Sequence, residues 1–483
     1  MMSREMMEQR EQRNASINSA ESRKNKSEAQ MKNSGIEWIG EIPKEWKVCR
    51  IKYVISSGKE GIKIGPFGSA LTNRVTDNAP YKIYGQWNIV GKDFFAGKNY
   101  ISKDTYNDLS SYRVIPGDIL ISMMGTIGKC AIIPMKIQEG IMDSHVIKIR
   151  IDTSKINGKF FEYIYDKDNS SFVFDQLNQK KKGSIMDGLN SAIVKNLVIM
   201  LPPLSEQQKI ANYLDKVCGE VDEMIALQEQ MIEELKAYKQ SVITEAVTKG
   251  LRSAEGRLQG KNPDAPMRDS GIDWIGEIPK EWKICRMKNI ASLFGRIGFR
   301  GYTSDDLNKD GEGAITLSPS NMMPMCMDYS KVTYLSWKKY EESPEIMIQN
   351  GDLLMVKTGS SYGKVSYVDK LPKETTINPQ ILRIVPSVSS KYLGYYMQTD
   401  LFIYQVEGGV VGGTIPTISQ EKINNFYVIL PSDEEQQSIA SYLDTKCAEI
   451  DALIAIKQTK IEELKDYKKS VIYEYVTGKK EVV

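Results

Sequence analysis

Histidine occurs once in 483 residues, at His145, and the six cysteines, Cys49, Cys130, Cys218, Cys285, Cys326 and Cys447, include no CxxC pair. A zinc site needs several such ligands at close spacing, so none is indicated, and the thiols read as free and buried in a reducing cytoplasm. No run of 18 apolar residues occurs, so nothing reads as membrane-spanning. The N-terminus has no apolar stretch followed by a small-residue cleavage site, so secretion is not indicated. Charge of either sign is nearly absent in the balance, 64 Lys+Arg against 62 Asp+Glu, or +2. Catalytic signatures are missing as well. Gly359-Ser-Ser-Tyr-Gly-Lys364 is one residue short of a phosphate loop and lacks its hydroxyl, and Gly125-Thr-Ile-Gly-Lys129 departs further. Asn378-Pro-Gln is followed by no aromatic, and no Gly-rich cofactor loop accompanies it. His145 has no second histidine to share a metal and reads as a satisfied core or surface residue. The chain therefore reads as non-catalytic, with no cofactor of its own.

What is present is a duplication. Leu201 to Gly250 returns 229 positions later as Leu430 to Lys479, with 28 identities in 50 aligned positions. In the first copy Ile210, Leu214, Val217, Val221, Met224, Gln228, Met231, Leu235, Tyr238 and Val242 alternate at spacings of four and three, the seam of a coiled-coil-like helix. A helix from about Glu206 to Thr248 is roughly 60 Å long. The second copy keeps Ile439, Leu443, Ile450, Leu453, Leu464, Tyr467 and Val471 but sets Lys446, Lys457 and Lys460 on the seam, which favours the two helices as partners for each other. Pro202, Pro203 and Pro431 mark where the helices begin, with Ser205 or Ser432 as cap. A second pair of repeats opens each half: Asn33 to Val54 returns as Asp269 to Ile290, with 16 of 22 positions identical at a shift of 236. Trp38, Trp46, Trp274 and Trp282 flank its Glu-Ile-Pro turn and read as packing anchors.

These repeats divide the chain into a polar N-terminal tail (1–32), a first globular domain (33–200), a first spacer helix (201–250), a Gly/Pro-containing linker (251–268), a second domain (269–429) and a second spacer helix (430–480). The domains resemble each other in patches. Pro116-Gly-Asp118 answers Asn350-Gly-Asp352, each a turn leading into a strand; Gly turns and the strands at Val146 and Ile381 follow. The fold class expected is α+β, two tandem domains each handing over to a long helix. From Glu45 to Met200 the balance is 22 Lys+Arg against 15 Asp+Glu, or +7; from Ser205 to Gly250 it is 5 against 9, or −4. A basic domain beside an acidic helix suits globular faces that meet a polyanion.

Gly-bracketed loops carry the candidate contacts. In the first domain these are Lys63, Gly65, Phe67, Gly68, Ser69, Gln86, Trp87, Asn88, Lys180, Lys181, Lys182, Gly183 and Ser184. In the second they are Arg296, Arg300, Ser320, Asn321, Gly412, Gly413 and Thr414. Lys and Arg neutralise phosphates, Gly lets backbone N–H groups approach, and Asn, Gln or Arg can read base edges. On the helices Leu214, Val221, Leu235, Val242, Leu443, Ile450, Leu464 and Val471 are the candidate spacer positions.

The repeated GIEWIGEIPKEWKV and GIDWIGEIPKEWKI, with the repeated LPPLSEQQKIANYLD and LPSDEEQQSIASYLD, resemble the specificity subunits of type I restriction-modification systems over residues 33 to 480. GPFGS at Gly65 to Ser69 resembles that family's target-recognition domains, whereas the second domain has GRIGFRGY instead. The resemblance implies two target-recognition domains reading the halves of a bipartite, asymmetric site in double-stranded DNA. It implies spacer helices packed as an antiparallel coiled coil with pseudo-two-fold symmetry, two methyltransferase subunits and two translocating nuclease subunits as partners. S-adenosylmethionine, ATP and magnesium would belong to those partners. Antiparallel duplicated helices also let two domains meet one duplex about one turn, roughly 34 Å, apart. Two other readings stand beside it: a non-catalytic scaffold bridging two protein copies with little DNA specificity, and a cryptic nuclease or methyltransferase.

Overall fold

The computed structural model describes residues 31–36, 39–71, 73–166, 168–169, 173, 175–177, 189–251, 266–296, 298–308, 311–410 and 415–482. The chain forms two compact units, one ending at Gln228 and resuming at Thr459, the other running from Glu229 to Gln458. Each unit thus takes the first half of one long helix and the second half of the other.

In the first unit one four-stranded antiparallel sheet runs Ile62–Ile64, Val146–Ile149, Ile119–Ser122, Cys130–Ile132. A second sheet runs Tyr100–Ile101, Tyr81–Tyr84, Gly140–Met142, Arg113–Val114, and its central pair is parallel. The central strands are buried along their length, which is why they read as apolar runs. The second unit repeats the first of these sheets as Ala291–Gly295, Ile381–Pro386, Leu353–Val356 and Val365–Tyr367. Its other sheet again holds one parallel pair, Ala314–Leu317 with Thr375–Ile377. The shared Gly-Asp turn has the same physical basis twice. Asp118 accepts the Ile115 N–H at 3.0 Å and pairs with Arg150 at 2.7 Å; Asp352 accepts the Gln349 N–H at 2.7 Å and pairs with Arg383 at 2.7 Å.

Two expected boundaries move. The tail read as ending at residue 32 already contains strand residues, since Met31–Asn33 pairs with Glu41–Pro43, and the linker read as ending at 268 overlaps Met267–Asp269, which pairs with Glu277–Pro279. In both cases a three-residue strand is too short to show as alternation.

The short helices α1 (Gln86–Gly91) and α2 (Gly158–Tyr165) belong to the first unit, and α4 (Ser390–Tyr396) to the second. The long helices are α3 (Leu204–Lys249, 46 residues) and α5 (Asp433–Val476, 44 residues). Ser432 caps α5 by accepting the Glu435 N–H at 3.3 Å, whereas Ser205 lies inside α3, which begins at Leu204. In the first unit Tyr213 packs on Tyr475 and Asp222 pairs with Lys468 at 2.7 Å; rising numbers on one helix meet falling numbers on the other, so they run antiparallel. In the second unit the repeat-related pair is Lys239 with Asp451 at 2.6 Å, and Val242 to Val247 share a core with Ile439 to Cys447. Leu214, Val221, Val242, Leu443, Ile450, Leu464 and Val471 are buried and Leu235 is half-buried. Ile210 and Ile439 are buried as well, and Val217, Gln228, Lys446 and Lys457 half-buried, but part of the expected seam is corrected. Met224, Met231 and Tyr238 are exposed, and Ile225, Ile232 and Lys239 face inward; on α5 Leu453, Lys460 and Tyr467 likewise give way to Ile454, Ile461 and Lys468. Both candidate stripes are largely apolar, so spacing alone could not choose between them.

Candidate nucleic-acid interface

The duplicated sequence motifs turn out to be partners of one another. The Trp46 indole N–H donates to Glu206 at 3.0 Å, and Trp282 donates to Glu435 at 3.2 Å. The buried Gln207 amide donates to Pro202 and Lys155 carbonyls and accepts the Asn157 N–H at 2.8 Å; Gln436 donates to the Pro431 carbonyl and accepts the Ser389 N–H at 3.0 Å. Tyr163 donates to Asp215 at 2.8 Å and Tyr395 to Asp444 at 2.9 Å. Burial, then the neighbouring carboxylate, pushes both phenols far above the usual tyrosine range, so they remain donors. EWK and EQQ…YLD are therefore two halves of one lock that fixes each sheet pair to its helix start.

On that frame, loops from distant strands converge. In the first unit Gly65 donates its N–H to Val146, and a β-carbon there would strike the Asp143 carbonyl, which is why the loop needs glycine at this approach. Asp143 donates to the Tyr84 carbonyl, Met123 to that of His145, Leu189 to that of Met123, and the Met124 N–H to the Gln86 side chain at 3.1 Å. The loops at Gly65, Gln86, Met123 and Asp143 thus form one face. Phe67 is 86% exposed on it and Trp87 43%, with the Trp87 ring resting on Gly97; Ser69 is exposed, Gly68 opens a short helical turn, and the Lys63 ammonium lies over the Tyr112 ring at 4.8 Å.

Asn88 needs correction as a base reader. It is fully buried; its carbonyl accepts the Gly85 N–H at 2.9 Å and its amide donates to the Asp93 and Ala96 carbonyls. Asn321 does the same in the second unit, accepting the Ser318 N–H at 3.0 Å and donating to Asp328 and Lys331 carbonyls. Both amides close a loop and have nothing left for a base edge.

The second face repeats the arrangement with other side chains. Asn378 donates to the Leu317 carbonyl, Lys357 to that of Gln380, Ile418 to that of Lys357, and Gly359 to that of Pro416. Ser320 is exposed and bonds Ser318 at 2.7 Å. Arg296 is 5% exposed, bonded to the Ile377 and Arg300 carbonyls and Thr376, with its guanidinium toward the Tyr302 ring; Arg300 pairs with Glu345 at 3.4 Å. Arg296 is thus a structural cation, contrary to expectation. Lys180, Lys181, Lys182, Gly183, Ser184, Gly412, Gly413 and Thr414 lie outside the described residues. Sequence reasoning did not select Met123, Asp143, Ser144 or Lys357, and it weighed His145 and Asn378-Pro-Gln380 only as catalytic or metal candidates and set them aside. The available signal was that both rejected Gly turns, at Gly125 and Gly359, follow the Gly-Asp strand at matching distance. Among the described residues no group of His, Cys, Asp and Glu could hold a metal.

Sequence and structure comparisons agree on where these two units belong. The family described as type I restriction modification DNA specificity domain matches residues 43–237 and 279–466. The putative type I restriction enzyme MjaX specificity subunit of Methanocaldococcus jannaschii is 26% identical over 448 residues, covering 91% of this chain and 95% of that protein. The type I restriction enzyme EcoBI specificity subunit of Escherichia coli is 24% identical, covering 71% and 69%. A solved chain described for complex assembly and conformational transition of the type I R-M system superposes with a TM-score of 0.65 at 16% identity, covering 90% of this chain and 98% of that one, which establishes a common fold.

Proposed function

Because this chain belongs to the type I restriction-modification DNA specificity family, we propose that it is the sequence-reading subunit of such a complex, each unit's loop face reading one half of a bipartite DNA word. Subunits of this family are non-catalytic, and catalysis lies in their partners. The observation that carries the reading is the pair of loop faces held by equivalent locks and furnished with different side chains: Met123 and His145 in one, Lys357 and Gln380 in the same backbone roles in the other. One scaffold built twice with unlike contacts suits a word whose halves differ. The long helices set the gap between the halves.

Duplicated exposed apolar side chains support two copies of one protein partner. Met224, Leu227 and Tyr467 are exposed in the first unit; Leu453, Ile456 and Tyr238, their repeat equivalents at a shift of 229, are exposed in the second. We assign these to two methyltransferase subunits, with two translocating nuclease subunits joining in a restricting complex and S-adenosylmethionine, ATP and magnesium held by those partners. No described helix is long and apolar enough to cross a membrane, and the reading places the complex in the cytoplasm with the DNA.

The test is co-expression with the methyltransferase subunit and genome-wide mapping of methylated adenine. The expected result is one asymmetric word in two parts with a fixed gap. A continuous word, a palindrome, or methylation without a word overturns the reading.

A further inference from the structure

The second face poses a charge problem. Arg296 and Arg300, the cations that sequence selects there, are engaged inside the unit, and the Lys364 ammonium bonds the Pro319 carbonyl at 3.5 Å. Lys357 differs. It is half-buried where three loops meet, its N–H and carbonyl tied to Gln380 and Ile418, and its ammonium lies against Gly295, where a β-carbon would come within 3.1 Å of it. Desolvation lowers its pKa, and no charge or hydrogen-bond partner among the described residues raises it again. A cation kept partly dry without a partner is costly, and such sites are retained when a ligand supplies the counter-group.

The first unit shows that the fold itself does not require that cation. Met123 occupies the same backbone position, donating its N–H to His145 as Lys357 does to Gln380, and accepting from Leu189 as Lys357 does from Ile418. With the backbone bonding equal and the side chain changed from thioether to ammonium, the difference belongs to what the face meets rather than to what holds it together.

We propose that Lys357 is a DNA contact of the second unit, its ammonium donating to a phosphate oxygen or to the O6/N7 edge of a guanine in the second half-word. This rests on the DNA-reading function above and deepens it. A guanine contact confers discrimination at one base, whereas a phosphate contact confers affinity with a salt dependence.

The experiment uses the complex assembled with its methyltransferase subunits. Wild type, Lys357→Met and Lys357→Arg are compared by methylation mapping and by binding to a duplex carrying the mapped word over a salt series. For a guanine contact, Lys357→Met relaxes one position of the second half-word and leaves the first intact. For a phosphate contact, the word is kept, affinity falls about tenfold and the salt slope shrinks by about one. Lys357→Arg, which keeps the charge, holds affinity within about threefold. An unchanged word with unchanged affinity and slope in Lys357→Met overturns the inference, as does equal loss in Lys357→Met and Lys357→Arg, which would place the effect in packing. A wild-type complex that reads no bipartite word counts against the functional reading instead.

Discussion

Asn88 and Asn321 show how a residue type suited to reading adenine can be spent inside a fold. Each buried amide makes at least three bonds to backbone, so truncation leaves buried donors and acceptors open at about 1–3 kcal/mol. Asn88→Ala is expected to lower the unfolding free energy by about that amount and to raise amide exchange in residues 93 to 96. Altered base preference with unchanged thermal unfolding would contradict the assignment. The tryptophan locks give a second test. Trp46→Phe deletes both the N–H that meets Glu206 and the far ring edge that packs against Gly478, and is expected to cost about 2–4 kcal/mol in denaturant unfolding. A neutral result would mean that neither the bond nor the ring edge holds the motif in place.

At the scale of elements, the two units solve one junction with opposite chemistry. Lys92 and Met325 lie in equivalent places after the buried asparagines, and both have left-handed backbone, φ 50° and 56°. Lys92 bonds Glu162 of α2 at 2.8 Å and lies 3.7 Å from Asp166, whose carboxyl burial pushes up and the Lys92 ammonium draws back. Met325 instead packs on Gly394 of α4, where a β-carbon would come within 3.0 Å of its sulfur. Glu162 and Gly394 immediately precede Tyr163 and Tyr395, so they are counterparts. Lys92→Met removes one of the two cations at the buried Glu162 carboxylate, Lys159 keeping the other at 3.1 Å, and is expected to destabilise by about 1–2 kcal/mol. Adding Glu162→Gly should show coupling above about 1 kcal/mol in a double-mutant cycle; simple additivity would remove the pairing from the account. The corrected helix seam is testable by truncation: Ile232→Ala is expected to cost about 2–4 kcal/mol and the neighbouring Met231→Ala under about 0.5.

For the whole molecule the consequence of two units strung on shared helices is a length rule. Seven residues removed from α3 and seven from α5 keep the heptad seam and shorten each helix by about 10 Å, or about three base pairs of duplex at 3.4 Å each. Methylation mapping of that variant is expected to give both half-words unchanged with the gap reduced by about three base pairs. Altered half-words with an unaltered gap would separate the helices from the measurement of distance.

Duplication, the two long helices and the absence of catalytic sets were legible in the chain as written, because identity and spacing are properties of neighbouring residues. The locks joining Trp46 to Glu206 and Trp282 to Glu435 were legible only as repeated words, since their partners lie 160 and 153 positions apart. Which polar residues remain at the loop faces was decided by tertiary structure alone. Strand Tyr81–Tyr84 pairs in parallel with Gly140–Met142, a crossover that brings Asp143 and His145 to the loop at Met123, and in the second unit Thr376 and Ile377, 80 and 81 positions away, occupy Arg296. A polar side chain becomes a contact or a brace according to what distant strands place beside it. Spacing on one helix likewise cannot choose between two apolar stripes until the partner helix buries one.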